Sequence, residues 1–352
     1  MFGIKADVKD TICYLDEQTV IYPSGHNIVI FNTEQKTQKF IPGTENTDGI
    51  TAMAVSPNRK FVAVAERAKE GEKAQVTIFD LHTLKRRKVL QAVSADVQSR
   101  EFVSLAFSPD SKNLLTHGGA PDWSLVYWLW EKAKVGAVAK TSNPQNNPIY
   151  QCTFNPIDNT VVCVTGDGIC RFLRITDQTL KPFPGAMGKR EPQAYLCHAW
   201  MSEERVVVAT DTGELLLLEA GELKCALAAA PADGNSIDSI VAYSKGFVCG
   251  ADGGMVYVFE KSDDKDYYKK AKGFRIENNA SKILTLAVSP SEEQLVCTLA
   301  NSQVGSGRTH PRSRTRTPWR PTNSRATRRS PRQGWRPCVG AGQGWWWAQG
   351  WW

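Results

Sequence analysis

The 352-residue chain has no apolar run long enough to cross a bilayer. Met1 to Asp7 reaches a charge before any apolar stretch develops, which argues against a secretion signal. Position 2 is Phe, so the Gly needed for myristoylation is missing. The nine cysteines stand at 13, 152, 163, 170, 197, 225, 249, 297 and 338, and no two have Cys-x-x-Cys spacing. They read as reduced, small apolar residues of a cytosolic protein rather than as zinc ligands or disulfides. The five histidines, at 26, 82, 117, 198 and 310, have no metal-ligand spacing. No Gly-x-Ser-x-Gly elbow or His-Glu-x-x-His pair occurs. Gly185 to Arg190 imitates a phosphate loop, but it lacks the upstream Gly and the Ser or Thr after Lys189. The sequence thus offers no catalytic residues, no metal site and no cofactor site, and it is read as a non-enzyme.

A further absence is regional. Residues 304–352 contain no Leu, Ile, Phe, Tyr, Asp, Glu or Lys, yet hold ten Arg and seven of the eleven Trp. Without them the formal charge of +7 becomes −3, so the body has no strong electrostatic pull toward nucleic acid or anionic membrane. A Pro- and Arg-rich segment without Leu or Ile cannot build a core, and disorder is expected over 304–352. Its abrupt start reads as an alternative exon, a frameshift or a misjoined gene model.

What is present is a repeat. Thr51 to Val55, a turn at Ser56-Pro57-Asn58, and Phe61 to Ala65 recur as Val103 to Phe107, Ser108-Pro109-Asp110, and Asn113 to Thr116. The middle of the first strand falls at Met53, Leu105, Cys152, His198, Ile240 and Leu286, in steps of 42 to 52 residues. Gly-rich turns such as Gly166-Asp167-Gly168 and Asp252-Gly253-Gly254 then lead into a third apolar strand. About four short strands every 40–50 residues mark propeller blades.

The expected fold is therefore all-β: a WD40-like β-propeller over 1–303, with six blades plus a truncated seventh, and a disordered Arg/Gly/Pro/Trp-rich tail over 304–352. The seventh blade begins at Ile283 and runs through Leu299, but no third strand is expected after Gln303. Residues 2–8 are expected as the outer strand of the closing blade. Such a ring would close poorly, with an exposed edge near Cys297 and marginal stability. Third strands end in pairs such as Phe31-Asn32, Phe79-Asp80 and Trp130-Glu131 instead of Trp-Asp, and no Gly-His opens a unit. Most of the usual WD hydrogen-bond network is expected to be absent.

Fourth strands are expected near 87–91, 135–139 and 225–228. The run Lys85-Arg86-Arg87-Lys88 reads as a charged edge that resists pairing with other molecules, in preference to a nuclear signal. Trp128 and Trp130, two apart, are assigned to packing between blades. Trp123, in the turn Pro121 to Ser124, is the candidate exposed partner contact.

Cys13 to Gly25, Leu125 to Lys132, Gln145 to Gln151 and Thr210 to Glu214 together resemble the N-terminal propeller of the cilia- and flagella-associated WD-repeat family. The resemblance covers about residues 1–303. It implies an axonemal scaffold linked to inner dynein arms and ciliary motility, located in the cytoskeleton of the cilium. The implied partners are inner-arm or regulatory-complex components and the doublet microtubule, with no membrane. The second reading is a cytosolic propeller that scaffolds a ribonucleoprotein or translation complex, its Arg/Trp tail touching RNA.

Overall fold

Ser56 opens a turn whose chemistry explains why the repeats fold alike. Its Oγ accepts the N–H of Phe61 at 2.9 Å, and Asn58 Oδ1 accepts the N–H of Lys60 at 3.0 Å. Ser108 repeats this with Asn113 at 2.9 Å, and Ser289 with Gln294 at 3.2 Å. The fourth residue of each turn is left-handed: Arg59 (φ 58°), Ser111 (φ 62°) and Glu292 (φ 61°). A short side chain that bonds its own backbone drives the reversal, and the apolar strands on either side then pair.

The structure is a computed structural model describing residues 4–8, 10–91, 97–141, 145–183, 187–188, 190–227, 235–263, 267–276 and 281–308. Seven antiparallel sheets follow in chain order, over residues 13–42, 47–91, 102–140, 149–182, 195–226, 237–275 and 283–308. Each is a simple meander, and these are blades 1 to 7. Blades 1 to 6 have four strands; blade 7 has three among the described residues. First strands of neighbouring blades lie against one another around the axis, and fourth strands form the rim. The fourth strands include Arg86–Gln91, Lys134–Lys140 and Glu222–Ala226, close to where the sequence suggested.

Seven apolar clusters hold the ring, one at each blade boundary. Trp128 and Trp130 fill the boundary between blades 2 and 3, as expected. Trp130 lies edge-on to Phe61 at 4.9 Å, and its indole N–H donates to the Ser111 carbonyl at 2.9 Å. Burying a Phe or Leu side chain contributes roughly 1.5–3 kcal/mol, so these boundaries carry most of the fold's stability.

The seventh blade corrects the sequence reading. Its third strand exists, as Val304–Arg308, and pairs with Gln294–Leu299 in the register Thr298↔Val304 to Gln294↔Arg308. The propeller has seven blades, not six and a fragment. The strand was illegible because it is Gly-rich, but backbone pairing needs no apolar side chains. Gly305 also suits its place: a Cβ there would lie 2.6 Å from Ile276 Cγ2 and 3.0 Å from Cys297 Sγ. The expected free edge near Cys297 is thus occupied.

Residues 4–8 form no strand. Lys5 N donates to the Pro23 carbonyl at 3.0 Å, while Ile4 packs into the boundary between blades 7 and 1 and Val8 into that between blades 1 and 2. Tyr14, Val20, Tyr22 and Phe31 meet Val296 and Val304 at the same closure. Thr11 N–H donates to Thr285 Oγ1 at 3.4 Å across it. The expectation of poor closure therefore fails. Residues 309–352, with the Arg and Trp clusters and His310, lie outside the described residues.

Candidate docking site at the channel mouth

Trp123 sits in the turn between the second and third strands of blade 3, with φ at +47°. The corresponding turns of blades 4, 5 and 6 put Gly168, Gly213 and Gly253 in the same left-handed region. Glycine adopts that conformation freely, whereas a bulky side chain there costs about 1–3 kcal/mol. The surroundings impose it. Trp123 N–H donates to the Gly119 carbonyl at 3.1 Å, and its own carbonyl accepts the Thr141 N–H at 3.3 Å.

Beneath the turn lies His117, fully buried. Burial pulls its pKa down to about 4, so the ring is neutral near pH 7. Its Nδ1 lies 2.8 Å from the Gly118 carbonyl, which can only accept. Nδ1 therefore carries the proton, and Nε2 lies 2.6 Å from Thr141 Oγ1, whose hydroxyl is also 3.0 Å from the Trp123 carbonyl. Beside it the Ser99 hydroxyl contacts Asp122 Oδ1 and lies 2.6 Å from the Gly119 carbonyl. Asp122 Oδ2 and the Trp123 indole N–H are buried and make no hydrogen bond among the described residues. Two adjacent unsatisfied polar atoms in one strained turn are unusual in a folded protein.

Trp123 is 9% exposed, not exposed as the sequence reading had it. It packs into the boundary of blades 3 and 4, and one side of it lines a cavity of about 550 Å³ at the mouth of the axial channel. Tyr150, Leu196 and Asp238 also line it. The charged residues of the mouth are paired. Lys5 Nζ donates to the Ile50 carbonyl at 2.6 Å and lies 3.6 Å from Asp7. Arg67 Nε donates to Glu101 at 2.7 Å, tying blade 2 to the start of blade 3. Lys282 reaches Asp238 at 3.0 Å between blades 6 and 7. What remains unsatisfied at the mouth, among the described residues, is the Trp123 turn.

The other sequence features resolve as packing. His198 is buried, with Thr153 Oγ1 and Thr165 Oγ1 at 2.7 and 2.9 Å from its two ring nitrogens. His26 lies 2.6 Å from Thr47 Oγ1 and 3.4 Å from the buried carboxylate of Glu66, which also accepts the Thr44 N–H at 2.8 Å. Burial pushes the Cys13 and Cys152 thiols up to about 12, so they are protonated and unreactive. No group of three metal-ligating side chains occurs among the described residues. One part of the WD-type network survives in blade 3, where the Trp128 indole donates to Thr116 Oγ1 at 3.0 Å. In blades 1 and 2 the polar residue that ends the third strand caps the next turn instead: Asn32 Oδ1 accepts the N–H of Gln35 at 2.8 Å, and Asp80 Oδ1 those of His82 and Thr83 at 3.0 and 2.8 Å.

Seven radially packed meanders around a channel, with a cavity at one mouth, define a β-propeller of the WD type. The chain belongs to the family described as the first β-propeller of the Echinoderm microtubule-associated protein, which it matches over residues 37–305. It is 38% identical over 358 residues to mouse cilia- and flagella-associated protein 57, an alignment covering 86% of this chain and 28% of that protein. It is 27% identical over 364 residues to cilia- and flagella-associated protein 57 A of Tetrahymena thermophila, with the same two coverages. Mouse cilia- and flagella-associated protein 44 is 24% identical over 275 residues, with 75% of this chain and 14% of that protein aligned. The chain thus spans little more than a quarter of the length of its cilia- and flagella-associated protein 57 relatives. Among solved structures, a chain of the mitotic checkpoint complex superposes with a TM-score of 0.68 at 11% identity, covering 88% of this chain and 90% of that one. The β-propeller domain of Cps50 (Swd1) from Myceliophteria thermophila gives 0.57 at 16% identity, covering 73% and 84%. At such identities the structural likeness speaks for the fold alone.

Proposed function

We propose that the chain is a non-enzymatic docking scaffold of the ciliary or flagellar axoneme, helping to place inner dynein arms. The relatives supply the location, since those named above are cilia- and flagella-associated proteins. The observation that carries the docking role is Trp123, a large residue held left-handed at the channel mouth where blades 4, 5 and 6 use glycine. Strain kept at an otherwise satisfied mouth points to a contact surface. Trp is also a frequent anchor of interfaces. Trp123 is the residue assigned to touch the partner, an axonemal protein of the inner-arm or regulatory assemblies.

The test is retention on detergent-extracted axonemes from ciliated cells expressing the full chain with an N-terminal tag. Retention that is lost in a folded Trp123→Gly variant supports the reading. A wild-type chain recovered entirely in the soluble fraction overturns it. Release of the chain by ribonuclease would instead favour a ribonucleoprotein scaffold.

A further inference from the structure

The rim of blade 2 carries a charge pattern that its fold does not require. Its fourth strand, Arg86–Gln91, pairs among the described residues only with the third strand, Gln75–Asp80, and its other edge carries no strand among them. Lys85, Arg86 and Arg87 are exposed and Lys88 is half-buried. None of the four has an ion pair among the described residues. Several bases elsewhere are matched across short distances: Arg205 with Glu219 at 2.8 Å, Arg190 with Glu214 at 2.6 Å, Arg67 with Glu101. The body of the chain is net −3, so this strand concentrates positive charge that its surroundings leave uncompensated.

Four consecutive bases on an extended strand span roughly 10 Å, about one Debye length, and repel one another. Charged side chains guard an edge against unwanted pairing, and four consecutive bases there also fit a ligand of opposite charge. Val89, 39% exposed, adds an apolar contact within the same strand. An extended peptide presents carboxylates at the same rise per residue, and its main chain can pair with that edge. Nucleic acid can match the charge but not the strand hydrogen bonds. Trp130, in the single turn of blade 3 that touches this strand, is 1% exposed and offers no stacking face.

We propose that the outer edge of blade 2 binds an extended acidic segment of a partner protein as a fifth strand, with Arg86, Arg87 and Lys88 holding its carboxylates and Val89 an apolar side chain. This site lies on the rim, apart from the channel mouth.

The probe is a fluorescein-labelled peptide of ten L-glutamates, with binding to the full chain read by anisotropy at 50 and 200 mM salt. An R86Q/R87Q/K88Q variant is expected to bind about ten-fold more weakly, at roughly a factor of two per lost surface pair. The matched K269Q/K270Q/K272Q variant on the rim of blade 6 removes the same charge and should change binding less than two-fold. Equal losses in the two variants, or none in the first, overturn the site. The D-glutamate peptide should bind several-fold more weakly, and equal affinity overturns strand addition. Tighter binding of oligo-dT or of phosphatidylserine vesicles, abolished by the blade 2 variant, also overturns it. Arg87 lies at the bulge between the partners of Ile78 and Phe79. If the triple variant unfolds, Arg87→Gln alone should weaken peptide binding about two-fold without disturbing the ladder; unchanged binding overturns the site.

Discussion

Ser291 Oγ donates to Glu17 Oε2 at 2.9 Å, joining blade 7 to blade 1 across 274 residues of chain. The Ser291 N–H bonds the other carboxylate oxygen. Blade 7 uses the same device toward blade 6, where Ser244 N–H donates to Glu292 Oε1 at 2.8 Å. Inter-blade ties of this kind link neighbouring turns on the face opposite the channel mouth. Glu17→Ala should lower unfolding free energy by about 1 kcal/mol, the scale of an exposed charge-assisted hydrogen bond. Ile4→Ala removes a buried side chain from the same closure and should cost about 2–4 kcal/mol. Urea unfolding of both variants checks the order. Equal, negligible effects would mean that the ring does not depend on this closure.

Trp123 gives a sharper test because glycine and alanine should exchange their usual ranks there. Both variants lose the indole's packing between blades 3 and 4. Only alanine retains the penalty of a Cβ at φ +47°. Trp123→Gly should therefore be about 1 kcal/mol more stable than Trp123→Ala. Thermal melting of the pair decides it, and a more stable alanine variant would show that the backbone there is not strained.

Much of the ring was legible from sequence. The Ser-Pro-Asn and Ser-Pro-Asp turns and the Gly-rich turns mark blade after blade, since each enforces its reversal through local chemistry. What escaped was set by distant contacts. Val304–Arg308 has almost no strand signal, but Thr298 and Cys297 pair with its backbone. Residues 4–8 look like an edge strand, yet Ile4 and Val8 serve different blade boundaries. Trp123 was placed in a turn correctly. Its burial came from blade 4, through packing near Ile149 that no local pattern announces.

His117 makes stability depend on acid. Its folded pKa is about 4 against an ordinary value of 6.5, so below pH 6.5 the unfolded chain takes up a proton that the folded chain refuses. Stability from this residue is therefore complete above about pH 6.5 and declines as pH falls toward 4, by up to about 3 kcal/mol. His117→Gln should flatten that part of the pH profile while costing some stability at pH 7.5. Urea midpoints at pH 5 and 7.5 for both proteins provide the measurement. A parallel pH dependence in the variant would assign the acid sensitivity to other groups.

The pairing of Trp128 with Thr116 allows the buried network to be weighed against apolar packing. Both residues are buried, at 1% and 0% exposure, and the indole N–H has the Thr116 hydroxyl as its acceptor. Thr116→Val keeps the shape but removes the acceptor, so the N–H is left unsatisfied in the interior. The expected cost is about 1–3 kcal/mol. Trp128→Phe in the same background removes the donor as well and should cost less than the two single changes combined. Strictly additive losses in a double-mutant cycle would mean that the bond contributes nothing, and that blade 3 is held by packing around Trp128 alone.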